Sequence, residues 1–146
     1  MSTSGRLRAL VVVAVLAVAG CADTAPADME AGRAAVERGD PREAVKMYER
    51  VIDAKDQPAA MRAAAYYGRA STYSEQGDKD KALADYTQAI ALKPDFLEAY
   101  IARAGVYIDK TQPQQAIADY DRAVALKPTA GEVYYWRGMV KAYLQR

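Results

Sequence analysis

Residues 84–94 read ADYTQAIALKP, and residues 118–128 read ADYDRAVALKP. Eight of the eleven positions are identical, at an offset of 34 residues. Working outward from this stretch, residues 63–96 and 97–130 align without a gap. Tyr66 falls on Tyr100, Ala70 on Ala104, Tyr73 on Tyr107, Ala82 on Ala116, Tyr86 on Tyr120, Ala89 on Ala123 and Pro94 on Pro128. Self-similarity at this period marks a stacked array, in which each unit buries its apolar face only against the next.

Further copies flank the clear pair. Residues 39–52, GDPREAVKMYERVI, line up with residues 77–90, GDKDKALADYTQAI, at an offset of 38. The four extra residues lie in the connection around AKDQPAAM. Ala44, Tyr48 and Val51 take the places of Ala82, Tyr86 and Ala89. The first helix of this copy is expected over 28–38, with Gly32 kept and Ala35 where a tyrosine stands later. A closing half-copy begins at Gly131, carries Tyr134 and Gly138, and runs to Arg146. The units are therefore about 25–58, 63–96 and 97–130, followed by a helix over 131–146. Local signals agree. Asp40-Pro41-Arg42-Glu43 and Thr129-Ala130-Gly131-Glu132 read as helix starts, with an N-cap and an acidic residue three on. Gly77-Asp78 and Asp40 mark turns inside units, and Pro94 and Pro128 mark turns between them.

This pattern of aromatic, small, aromatic, small, aromatic, small and proline residues resembles the tetratricopeptide repeat. The resemblance implies an all-α fold, a right-handed superhelical solenoid of about three helix–turn–helix repeats plus a closing helix, over residues 28–146. It also implies a concave face lined by the first helix of each unit, where a protein or peptide partner would lie. On the inward columns of that family stand Met29, Tyr67, Ile101 and Tyr135, then Ser71, Met139, Ile108 and Tyr143, with Glu98 at the rim. Eight of the eleven tyrosines occupy knob positions, and the three left over, Tyr67, Tyr135 and Tyr143, all fall on these columns. An aromatic floor beside acidic residues suits an amphipathic or extended segment with basic character. The other reading is that the floor is covered by the protein itself or by a second copy, giving a homodimer through the last helix. The lysine–asparagine clamp of chaperone-binding members is missing, because Tyr67, Ser71, Glu98, Ala102 and Ile101 hold those places.

Two charged columns recur with the period. Arg69, Arg103 and Arg137 share one position, and Asp85 and Asp119 share another. They are expected to pair, partly buried, across the helix interface. The alternative is two solvated rows, and the difference is energetic: losing one partner of a buried pair costs about 3–5 kcal/mol, against about 0–1 for a surface pair.

Composition removes most other chemistry. Histidine is absent from the 146 residues, and Cys21 is the single cysteine, so Ser-His and Cys-His pairs and most zinc sites are excluded. Twenty basic against 19 acidic residues give no electrostatic case for nucleic acid. No phosphate-cradling glycine loop or metal-ligand cluster is present. The aligned acids Glu98 and Glu132 read as a solvated edge, and neither catalysis, a cofactor nor a metal is expected.

The N-terminus reads as an address. Arg6 and Arg8 precede an apolar run from Ala9 to Ala19, too short for the roughly 20 residues of a spanning helix. Residues 1–20 are thus expected to be a cleaved signal peptide. Val18-Ala19-Gly20-Cys21 resembles the bacterial lipobox, with valine where leucine is commonest. The resemblance implies that Cys21 becomes a lipidated first residue, followed by a short tether over 21–27. Ordinary cleavage after Ala19, leaving a soluble periplasmic protein with a free thiol, is the rival. The lipid reading places the chain in the bacterial cell envelope, with Ala22 rather than aspartate favouring the outer membrane, facing the periplasm. There it would serve as a membrane-anchored interaction scaffold or assembly adaptor for an envelope protein.

Overall fold

Glycine or alanine at fixed intervals allows helices to approach closely, and the chain uses this from end to end. The computed structural model describes residues 24–145. The leader, Cys21 and the first part of the tether lie outside the described residues. Seven helices follow one another: α1 (Thr24–Glu37), α2 (Pro41–Asp53), α3 (Ala59–Glu75), α4 (Lys79–Leu92), α5 (Leu97–Asp109), α6 (Pro113–Leu126) and α7 (Gly131–Leu144). Each packs on its neighbours in sequence, and the main contacts beyond that join α1 to α3 and α3 to α5. First helices therefore line up along one side, as in an all-α solenoid of stacked hairpins. No strand occurs among the described residues.

Three apolar clusters lie along the array. The first joins Met29, Ala35, Ala44, Tyr48, Val51 and Ala65. The second surrounds Tyr86 with Ala70, Ala82 and Val106. The third surrounds Tyr120 with Tyr100, Ala104, Ala116, Val133 and Val140. Tyr48, Tyr86 and Tyr120, at equivalent places, are each almost fully buried. The tightest fit is at Tyr48. A Cβ on Gly32 would stand 2.7 Å from its ring, and one on Gly68 would stand 2.6 Å from it. Gly32 belongs to the same hairpin and Gly68 to the next, so a single ring wedges both interfaces.

Two boundaries differ from the sequence reading. Helix α1 begins at Thr24, so residues 24–27 are helical rather than tether. Pro26 is compatible with this because it falls in the first turn, where backbone N–H groups have no helical acceptor. Burial of Ala25 in the first cluster adds an apolar contact to the extra turn. At the other end Thr129 does not cap α7. Ala130 holds that position without a side-chain cap, since the Gly131 N–H donates to the Thr129 carbonyl and the helix starts one residue later. The Asp40 and Asp78 caps do form, accepting from the Glu43 and Lys81 N–H groups at 3.1 and 3.3 Å.

The turn inside each hairpin requires one left-handed residue. Gly39 (φ 73°), Gly77 (φ 80°) and Thr111 (φ 55°) occupy equivalent places. A β-branched residue is strained there by about 1–2 kcal/mol. Thr111→Gly is therefore expected to stabilise the protein by about 1 kcal/mol and Gly77→Ala to destabilise it by a similar amount. Urea unfolding midpoints of the two variants check this, and equal midpoints would show that the turn is not strained.

Candidate partner-binding groove

The first helices are held in register by a charged ladder. Arg69 in α3 donates through Nε and Nη2 to both oxygens of Asp85 in α4, at 2.7 and 2.9 Å. Arg103 in α5 repeats this on Asp119 in α6, at 2.8 and 2.7 Å. These forks lie within one repeat, and Asp85 and Asp119 are buried. The remaining Nη1 reaches back to the preceding repeat: Arg69 to Glu49 at 3.2 Å, and Arg103 to Thr87 Oγ1 at 3.0 Å. Arg137 makes only the backward contact, to Asp121 at 2.9 Å, and its partner lies outside the aspartate column. Glu49, Thr87 and Asp121 share one repeat position, which sequence reading had not singled out. Tyrosines flank each arginine, with Arg69 over Tyr66 and Tyr73 at 5.6 and 5.9 Å, and Arg103 over Tyr100 and Tyr107 at 5.8 and 5.9 Å. The carboxylate bond raises each guanidinium above its ordinary pKa, despite the opposing effect of burial. The first repeat has neither charge, with Ala31 and Met47 at the two places.

On the side lined by α1 and α3 a cavity of about 440 Å³ opens. Its floor is Met29, Tyr48, Tyr67 and Ser71, and Arg33, Glu37 and Glu75 stand at its edge. Tyr67 is held by rings on two sides, Phe96 at 5.1 Å and Tyr86 at 5.7 Å. Ser71 Oγ lies 3.1 Å from the Tyr86 hydroxyl and donates to the Tyr67 carbonyl. Phe96, the only phenylalanine, comes from the turn between repeats and was invisible to column reading, which follows helices alone. Burial raises the phenol pKa of Tyr67, Tyr86 and Tyr48, with the Ser71 hydrogen bond partly offsetting it in the first two.

A second cavity, about 590 Å³, lies between the end of α5 and α7. Its walls are almost wholly apolar, from Ile108, Pro113, Trp136, Met139, Val140 and Tyr143.

The inward columns are thus divided by the structure. Tyr67, Ser71 and Met29 join the first cavity, with Met29 buried as floor rather than open contact surface. Ile108, Met139 and Tyr143 join the second. Ile101 is half-buried against the third cluster and Glu98 is exposed. Tyr135, 59% exposed, rests edge-on against Trp136 at 5.3 Å. Among the described residues no cluster of metal-binding side chains occurs, and no helix is long and apolar enough to cross a membrane.

Models of the tetratricopeptide repeat match residues 30–60, 63–96 and 97–129. Together they span about two thirds of the sequence, and the chain belongs to the tetratricopeptide repeat family. Its fold is similar to the crystal structure of MamA, at 21% identity and TM-score 0.75 over 84% of this chain and 70% of that one. It is similar to the first such domain of Spaghetti (RPAP3) bound to the HSP90 peptide SRMEEVD, at 24% and 0.76 over 84% and 97%. It is also similar to the TPR2B domain of yeast Sti1 in its pHsp70 complex, at 25% and 0.71 over 84% and 98%. No curated protein matches the chain.

Two outcomes follow from this geometry. Arg103→Ala strands a buried carboxylate and is expected to cost about 3 kcal/mol, whereas Arg137→Ala costs about 1 or less. Adding Asp119→Met to Arg103→Ala, which copies Ala31 and Met47 of the first repeat, should recover part of the loss, and chemical unfolding of the three variants measures the coupling. For the phenols, folded pKa values lie above the unfolded value of about 10. Stability is then complete below about pH 10 and falls as pH rises through the folded values. Unfolding midpoints at pH 8 and 11 should show that fall, with a smaller drop in Tyr86→Phe. An identical drop would remove Tyr86 from the account.

Proposed function

We propose that the chain is a non-enzymatic binding scaffold that holds a segment of a partner protein along the side formed by its first helices. The observation that carries this reading is the ring stack of Phe96, Tyr67 and Tyr86. It fixes an aromatic surface beside an open cavity, and so removes rotamer cost from the contact. The partner segment is apolar with basic residues, because Arg33 at the edge of the first cavity is paired with Glu30, leaving Glu37 and Glu75 as the acidic excess there, and Glu98 stands exposed at the start of α5. The structural relative from RPAP3 was solved with SRMEEVD, an acidic peptide. A segment of that kind would meet like charge here, and Tyr67, Ser71 and Ile101 offer no lysine to hold a terminal carboxylate.

The site of action in this reading is the bacterial envelope. Cys21 carries lipid after removal of residues 1–20 and holds the domain at the outer membrane, facing the periplasm, where it serves as an adaptor for an envelope protein. Each buried methylene contributes about 0.8 kcal/mol, and two or more acyl chains anchor durably.

A photoreactive residue at Tyr67, compared with one at exposed Lys46 on α2, tests the groove in cells. Crosslinking of an envelope protein from position 67 and not from 46 is expected, and the reverse would refute the groove. In the same cells Cys21→Ser should release the protein from the membrane fraction, and retention there would refute lipid anchoring.

A further inference from the structure

Helix α7 stands in the place of a first helix and packs on α6, the second helix of the preceding repeat, with no second helix of its own among the described residues. It nevertheless repeats the surface with which α3 and α5 hold their own second helices. Tyr134, Arg137 and Gly138 stand where α5 has Tyr100, Arg103 and Ala104. In α5 that surface is covered: Tyr100 is 7% exposed, and both fork nitrogens of Arg103 lie on Asp119. In α7 Tyr134 is 40% exposed, and a Cβ on Gly138 would meet nothing within 4 Å. Arg137 uses Nη1 on Asp121, while its Nε and Nη2 hold no carboxylate among the described residues.

We propose that this end face is a docking site for one helix of a partner protein, carrying Asp followed by an aromatic residue, with small residues three before and four after the Asp. That pattern is the one the matching surfaces already hold: α3 packs against Ala82, Asp85, Tyr86 and Ala89 of α4, and α5 against Ala116, Asp119, Tyr120 and Ala123 of α6. The small residues permit close approach, and the carboxylate completes a bidentate bond on the open guanidinium fork. Lys141, where α5 has Tyr107, adds a second cation and strengthens the preference for an acidic residue. A second copy of this chain is not the occupant. Its two helices of this pattern, α4 and α6, have Asp85 and Asp119 already engaged by Arg69 and Arg103. The site is separate from the groove, since it lies on the open side of α7 rather than beside Tyr67.

The experiment is a titration of the full chain with a stapled helix of the sequence Pro113–Leu126, read by the emission of Trp136, the single tryptophan. Saturable binding is expected, weakened about tenfold or more by Asp119→Asn in the peptide or by Arg137→Gln in the protein. Combining the two changes should add little further loss. Glu75→Arg, an exposed change at the edge of the first cavity confirmed as folded by its helical circular dichroism, should leave this binding intact while weakening crosslinking from position 67, so the two sites fail independently. Absence of binding, indifference to both Asp119→Asn and Arg137→Gln, or loss with Glu75→Arg overturns the proposal. So does a dimer in sedimentation equilibrium that Arg137→Gln dissociates, because a second copy would then cover the face.

Discussion

The structure depends on how closely one helix can approach the next with a tyrosine ring between them. At Tyr48 the limit is explicit: either Gly32 or Gly68 with a Cβ would overlap the ring. The later repeats relax this to alanine, with Ala70 and Ala102 beside Tyr86, and the ring is still buried. An aromatic side chain removes about 150–250 Å² from water, which at about 25 cal/mol per Å² is several kcal/mol before entropy. A bidentate ion pair at a half-wet interface yields much less after desolvation. Ring burial therefore holds the hairpins together, and everything polar is arranged around it.

That ordering explains why the charged ladder can be absent from the first repeat. Ala31 and Met47 replace both members at once, leaving neither charge stranded, and Met47 is buried like the aspartates it matches. The ladder's contribution is geometric. Arg69 and Arg103 each fix their own second helix through the fork and the preceding repeat through the third nitrogen, so the rotation of one hairpin on the next is set at a single residue. Glu49, Thr87 and Asp121 are chemically unlike, yet each accepts one N–H, which is all the backward contact requires.

The repeat period made the fold legible because stacking imposes the same small and aromatic residues at every interface. Hairpin order, the caps at Asp40 and Asp78 and the buried rings all lie on that period. The start of α1 did not, since Pro26 signals a break in sequence but is harmless in a first turn. The cavity linings were only half legible. Columns aligned Tyr67 and Ser71, which line the first cavity, and Met139, which lines the second, but a column says which way a residue points and not how deeply it sits, so Met29 emerged as floor. Phe96 was missed because it leaves the helical register and returns to Tyr67 from a turn. The arginine fork on aspartate could be anticipated from matching charges, whereas the backward contact could not, because its three acceptors share no residue type.

A quasi-one-dimensional array makes its concave side and its end two different kinds of surface. The inward columns vary from repeat to repeat more than the stacking positions do: Met29, Tyr67, Ile101 and Tyr135 share one column, and Arg33, Ser71, Gly105 and Met139 share another. The end face of α7 is the opposite case. Tyr134, Arg137 and Gly138 follow the stacking pattern that in α3 and α5 is satisfied internally. Their chemistry is therefore fixed by the fold's own interface and not free to suit any ligand. A surface built to stack, left uncovered among the described residues, would accept a helix with the pattern that α4 and α6 carry.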